Sequence, residues 1–150
     1  MIKGLFETHI NVSSLERSMD FYGNTLGLPF ASIDQDRRIA FYWIGERGKA
    51  MLGLWESPAE KIIQQHFAFR CDQQDIIQHA TAYLEQRELS PYNFLKNGSR
   101  EPMVFAWMPA IAIYFDDPDQ HVLEFISFMN GEPKPELGIV SYETWLAQGA

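Results

Sequence analysis

The 150-residue chain is 46% hydrophobic and 14% aromatic, with twelve basic against twenty acidic residues and a formal charge of −8. Eleven Phe, six Tyr and four Trp demand burial, which excludes disorder over the whole chain. The acidic balance, with no Lys/Arg stripe, excludes nucleic acid as a partner, and no apolar run approaches the roughly 18 residues of a membrane span. A single thiol, Cys71, allows no internal disulfide, and MIKGLFETHI holds no long apolar region, so a cytoplasmic setting is expected.

Leu5–Val12 (LFETHINV) alternates, with Phe6, Thr8, Ile10 and Val12 on an apolar face and Glu7, His9 and Asn11 on a polar one, which predicts a strand. Ser13-Ser14-Leu15-Glu16 reads as a capping box, and Leu15, Met19, Tyr22 and Leu26 form the stripe of an amphipathic helix that Gly27 stops. Strands are predicted at Phe30–Ile33, Ile39–Ile44 and Ala50–Trp55, separated by DQDRR and GERGK turns.

The pattern then restarts. His66–Cys71 predicts a strand with Phe67, Phe69 and Cys71 on its helix-packed side, and Asp72 caps a helix running to about Arg87. Strands at Tyr92–Leu95, Ala110–Phe115 and Val122–Phe128 follow, with a loop over Lys96–Pro109 that carries Trp107 and Met108. The order β-α-β-β-β thus occurs twice, with the first strands offset by 57 residues (His9 to His66). The fold class is α+β: a single domain over residues 1–130, made of modules at about 1–56 and 65–130, then a tail at 131–150 ending in a short helix capped by Ser141.

Three side chains suggest chemistry. His9 and His66 occupy equivalent points of the two modules, and Glu124 lies in an apolar strand, where a lone carboxylate costs several kcal/mol and calls for a cation. Two imidazoles and a carboxylate suit one divalent ion (Fe, Mn, Co, Ni or Zn), although spacing alone equally describes hydrogen-bonded strand residues. Arg70 shares the His66 face and is a candidate anchor for an anionic group or a partner in a salt bridge at the sheet rim. Glu7 and Asn11 flank His9, Glu7 as a base or hydrogen-bond partner of an imidazole and Asn11 as a substrate contact. Trp55, Trp107 and Phe94 are candidate walls of an apolar pocket, or ordinary core. His79 reads as solvated, His121 as pointing away from Glu124, and Cys71 as an inert thiol.

Gly4–His9 followed by SLERSMDFYGNTLGL, then His66-Phe67-Ala68-Phe69, then Tyr114-Phe115-Asp116-Asp117-Pro118-Asp119 leading to His121-Val122-Leu123-Glu124, resemble the glyoxalase/bleomycin-resistance/extradiol-dioxygenase (vicinal oxygen chelate) superfamily over about residues 3–128. The resemblance implies curved mixed sheets around a cavity, often in a homodimer, and places His9, His66 and Glu124 at metal positions. It also places Tyr114 as a hydrogen-bond donor facing the ion. Gly53 falls where metal-binding glyoxalases keep a fourth, carboxylate ligand. The phosphonate-gripping Arg of fosfomycin-resistance enzymes has no counterpart in SFMNGEPKPELG, and no His lies between His9 and His66 to serve as the second-sphere residue of dioxygenases.

The implied function is a divalent-metal-dependent enzyme acting on a small oxygen-bearing substrate. A glyoxalase-like lyase or isomerase, or a thiol transferase, is favoured over a ring-opening dioxygenase. The alternative is a non-catalytic drug- or metabolite-binding protein of the bleomycin-resistance kind, with a role in antibiotic resistance. Gln120, where the family commonly has Gly, is expected to carry backbone strain.

Overall fold

The computed structural model describes residues 1–149. The chain divides into two compact units, one of residues 1–65 with 117–121, the other of residues 66–116 with 122 onward.

Unit 1 holds β1 (Glu7–Val12), α1 (Leu15–Met19), β2 (Phe30–Asp34), β3 (Ile39–Ile44) and β4 (Ala50–Glu56) in an open sheet ordered β1-β4-β3-β2. β1 runs parallel to β4, and the other pairs are antiparallel. The alternation predicted for β1 holds: Ile10 and Val12 are buried, while Glu7, His9 and Asn11 are exposed. Two details of the first helix differ from expectation. Its cap is Ser14, whose side chain accepts from the Arg17 N–H, whereas Ser13 is turned to Asp119, to which both its N–H and its hydroxyl donate. After Met19 the helix widens into a π-helical segment, Asp20–Thr25, in which the adjacent rings of Phe21 and Tyr22 are both buried, edge to face at 5.0 Å. Gly23 lets Tyr42 pack close there, since a Cβ would stand 3.1 Å from Tyr42 Cε1 and push the ring back by a few tenths of an ångström.

The segment 117–121 is tied into unit 1 by buried polar contacts. Asp117 accepts from the Tyr22 hydroxyl at 2.7 Å and from the backbone N–H groups of Asp119 and His121 at 2.9 Å each. His121 is fully buried; its Nδ1 accepts from Gln65 N–H and its Nε2 donates to the Asn11 carbonyl at 2.7 Å. This fixes the imidazole as a structural bridge. Gln120 takes the left-handed conformation (φ 66°) that its position in the turn led us to expect.

Unit 2 holds β5 (His66–Arg70), α2 (Gln73–Gln78), α3 (Ala80–Glu85), β6 (Met103–Phe105), β7 (Ala110–Asp116), β8 (Val122–Phe128), β9 (Ile139–Ser141) and α4 (Tyr142–Ala147). Its open sheet is ordered β5-β8-β7-β6-β9, with β5 parallel to β8 and the rest antiparallel. The predicted helix from Asp72 to Arg87 is broken at His79, which leaves the helical region (φ −127°) and stands exposed. The predicted strand Tyr92–Leu95 is reduced to a single bridge between Tyr92 and Tyr114, and the second strand of the module lies instead at Met103–Phe105, inside the segment read as loop. Asn93, Asn97 and Ser99 hydrogen-bond locally and hold the intervening chain in turns, which competes with strand pairing.

The tail contributes a strand that its Pro-rich sequence concealed. β9 covers the β6 edge, and α4, capped by Ser141 as expected, buries Trp145. Gly131 (φ 126°) lies beneath that ring, where a Cβ would be 3.1 Å from Trp145 Cζ2. No helix among the described residues is long and apolar enough to cross a membrane.

Burial first, then the charges of Asp117 and Asp119, raise the Tyr22 phenol well above its ordinary range. The folded chain holds this proton more tightly than the unfolded chain, so the stability linked to it is complete below the ordinary phenol pKa of ~10 and is lost as the pH rises beyond it. Tyr22→Phe should cost about 1–2 kcal/mol near neutral pH, because Asp117 loses a buried donor. It should also flatten the alkaline fall in stability, as read from urea midpoints between neutral and alkaline pH.

Candidate functional site

The structure gathers three of the sequence-predicted residues in unit 2. β5, β8 and β7 are neighbours, and their register sets Ala68 on one side of Glu124 and Tyr114 on the other. Period two then puts His66 on the face that Ala68 and Glu124 share. Glu124 is 4% exposed. Its Oε2 lies 3.0 Å from His66 Nε2, and the Tyr114 hydroxyl donates to the same carboxylate. His66 Nδ1 donates to the Val122 carbonyl at 2.9 Å, so Nε2 is the nitrogen that meets Glu124, sharing a proton with it in the metal-free chain.

This pair fits a divalent ion. Two donor atoms bound at right angles at about 2.1 Å stand roughly 3 Å apart, and the separation in the structure is 3.0 Å, which is also the length of the direct hydrogen bond that joins the two in the metal-free chain. A carbonyl acceptor on the far nitrogen is the usual orienting partner of a metal-ligating His. Burial raises the Glu124 carboxyl above its ordinary value, opposed by the His66 charge and by the hydrogen bonds of Tyr114 and His66. The Tyr114 phenol is also raised, by burial and then by the charge of Glu124, and keeps its proton at neutral pH. Its ring is stacked on Tyr92 at 5.9 Å, and with Phe105 and Ala112 it forms an apolar floor on the face that carries Glu124. Phe94 leans on Phe105 and Tyr114 yet is 55% exposed, and Trp107 stands exposed on the turn between β6 and β7. Arg70 is exposed and makes no ion pair among the described residues. It lies two alternations beyond His66, roughly 13 Å along the strand.

His9, Glu7, Asn11 and Trp55 gather in unit 1. The His9 ring lies over Gly53, its partner across the β1–β4 ladder, with the Phe41 ring edge-on at 5.8 Å. Its Nδ1 accepts from Trp55 Nε1–H at 2.5 Å, and its Nε2 is 3.5 Å from Glu7 Oε1. As placed, this imidazole presents no free lone pair to an ion. The Asn11 side chain accepts from the Ser57 hydroxyl at 3.2 Å. Among the described residues, no three His, Cys, Asp or Glu side chains are grouped as a metal-binding set. The Trp55–His9 bond was not anticipated from the sequence. The signal was present in β4, where Gly53 and Trp55 alternate onto the face that carries His9. Burial pushes the Cys71 thiol up to about 11, in keeping with an inert role.

A model of the Glyoxalase/Bleomycin resistance protein/Dioxygenase superfamily matches residues 4–125. The chain belongs to this superfamily. Among solved structures, it is 36% identical to an integron cassette protein from the mobile metagenome of the Halifax Harbour sewage outfall, with TM-score 0.75 over 85% of this chain and 100% of that one. It also shares its fold with a glyoxalase/bleomycin resistance protein/dioxygenase from Nocardioides (22% identity, TM-score 0.64, 89% and 88% of the two chains). A third neighbour is the lactoylglutathione lyase of Agrobacterium tumefaciens (18% identity, TM-score 0.63, 84% and 94%). No curated protein sequence matches the chain. The superfamily's glyoxalase-like fold is the one found here, two open sheets of four and five mixed strands with few helices.

Because the Tyr114 hydroxyl stabilises the carboxylate form of Glu124, Tyr114→Phe should raise the Glu124 pKa further while leaving the fold intact. A carboxyl-carbon NMR titration of the two proteins checks the sign.

Proposed function

We propose that the chain is a divalent-metal-dependent enzyme acting on a small oxygen-bearing substrate. A glyoxalase-like lyase or isomerase, or a thiol transferase, comes ahead of a ring-opening dioxygenase. The observation that carries this reading is the His66–Glu124 pair, an imidazole nitrogen and a buried carboxylate oxygen 3.0 Å apart beside the Tyr114 hydroxyl. His66 and Glu124 supply two ligands, and His9 is the third that the sequence pattern calls for. When bound, the ion acts as a Lewis acid on a developing oxyanion, and Fe, Mn, Co, Ni and Zn all suit this donor set.

The chain's own side chains have separable tasks. Tyr114 keeps its phenolic proton, which is donated to Glu124 in the metal-free chain and would turn to a substrate oxygen once an ion takes that carboxylate. Arg70, free of an ion pair, binds an anionic group on the substrate at a distance from the reacting atoms. Glu7 Oε1 stands 3.5 Å from His9 Nε2, close enough to take up a proton there once the two draw together. Phe94 and Trp107, exposed in unit 2, offer apolar contact to a substrate; in unit 1 Trp55 offers an apolar face and Asn11 a polar one. Assembly as a homodimer in the cytoplasm belongs to the same reading. Neighbours of the same fold carry the names lactoylglutathione lyase and oxidase.

One observation favours the rival reading, a non-catalytic binder: the engaged state of His9, which leaves unit 1 without an open ligand. Elemental analysis of protein purified without added metal separates the two. A stoichiometric divalent ion is expected, and Glu124→Gln and His66→Ala should each weaken it by more than the roughly 10- to 100-fold that loss of an outer hydrogen-bond partner costs. Absence of an ion, with no response to these substitutions or to added metals, would sink the enzyme reading. With metal bound, methylglyoxal–thiol adducts, fosfomycin with thiols, and catechols distinguish the reaction classes.

A further inference from the structure

An indole N–H donates and never accepts. At the 2.5 Å contact with Trp55, His9 Nδ1 is therefore the acceptor, and the neutral ring carries its hydrogen on Nε2. That N–H faces Glu7 Oε1 at 3.5 Å. His66, at the equivalent point of the second module, is the reverse: its Nδ1 meets a carbonyl, so a hydrogen sits on Nδ1, and Nε2 is the atom that faces a carboxylate, Glu124 Oε2 at 3.0 Å.

An ion can reach His9 in two ways, and both conflict with the Trp55 bond. At Nδ1 it takes the place of the indole N–H. At Nε2 it requires the ring hydrogen on Nδ1, where two N–H groups would then face each other. Gly53 makes the arrangement possible. A Cβ there would lie 2.8 Å from Nδ1, 3.0 Å from Cε1 and 3.1 Å from Cγ of His9, so the ring occupies the space that any side chain at this position would need.

We propose that Trp55 is a positioning residue that holds His9 over Gly53 in the Nε2–H tautomer, so that uptake of a divalent ion by this histidine requires the indole to let go. The ion in this statement rests on the metal reading above, whereas the held tautomer is a property of the metal-free protein. Two measurements on the full chain test it. Long-range proton–nitrogen NMR of metal-free protein should show His9 protonated at Nε2 and His66 at Nδ1. Trp55→Phe and Gly53→Ala should each abolish the fixed His9 pattern, the first by removing the donor and the second by displacing the ring.

Zn(II) affinity, measured by competition with a chromophoric chelator, should rise about fivefold in Trp55→Phe, the worth of one ordinary hydrogen bond that no longer has to be broken. Hydrogen on Nδ1 of His9 in the metal-free wild-type protein would overturn the proposal. So would Zn(II) affinity in Trp55→Phe equal to or below that of wild type. Failure of every variant to bind Zn(II) would sink the metal reading, and the wild-type tautomer would still decide whether Trp55 holds His9.

Discussion

Glu124 sits in the interior of an open sheet, in a largely apolar strand, with almost none of its surface in water. Moving a carboxylate there costs several kcal/mol unless its oxygens find donors or a cation. Among the described residues neither Lys nor Arg pairs with it; a histidine and a tyrosine do. Each comes from a strand adjacent to β8, so the pairing of β5 and β7 on either side of this strand is what makes the residue tolerable. A one-residue slip of either neighbour would turn His66 or Tyr114 to the opposite face. Register in unit 2 and the chemistry of the site are thus the same constraint.

Unit 1 solves a different problem with the same topology. Its first strand also runs parallel to the last strand of the module, but the position facing His9 carries no side chain. A carboxylate at position 53 would contend with the imidazole for one space, and the glycine lets the ring fold back until it meets Trp55. The departure from the glyoxalase pattern at Gly53 and the tryptophan two residues later are linked through the ring they both touch. Backbone alternation explains the link, since residues 53 and 55 share a face and residue 9 stands across from the first of them.

Much of this was legible in the sequence because strands write their faces at period two. The faces of β1 and β5, and the burial of Glu124, follow from LFETHINV, HFAFR and HVLEF read one residue at a time. The second-module strand was misplaced because aromatic Tyr92–Leu95 has strand composition, whereas Asn93, Asn97 and Ser99 spend their hydrogen bonds on turns. β9 escaped notice because its three residues gain their pairing from the β6 edge rather than from any alternation of their own. The π-helical turn was invisible to a 3.6-residue stripe, since it rests on Gly23 admitting Tyr42 and on Tyr22 reaching Asp117. These are tertiary facts, and composition does not carry them.

The two module-leading histidines show why residue identity stops short of function. Spacing and resemblance treat His9 and His66 as equivalents, yet what an imidazole offers at one nitrogen is set by what touches the other. A carbonyl at Nδ1 leaves Nε2 as the nitrogen that meets a carboxylate or an ion, and His66 has one. An indole N–H at Nδ1 leaves Nε2 as a donor suited to a carboxylate or a substrate oxygen, and His9 has that, with Glu7 in place to receive it. Val122 and Trp55, neither of them a ligand or an acid, therefore decide the chemistry of the two rings. A duplicated module can keep the same histidine in both copies and still assign the two different work, by changing only the group behind the ring.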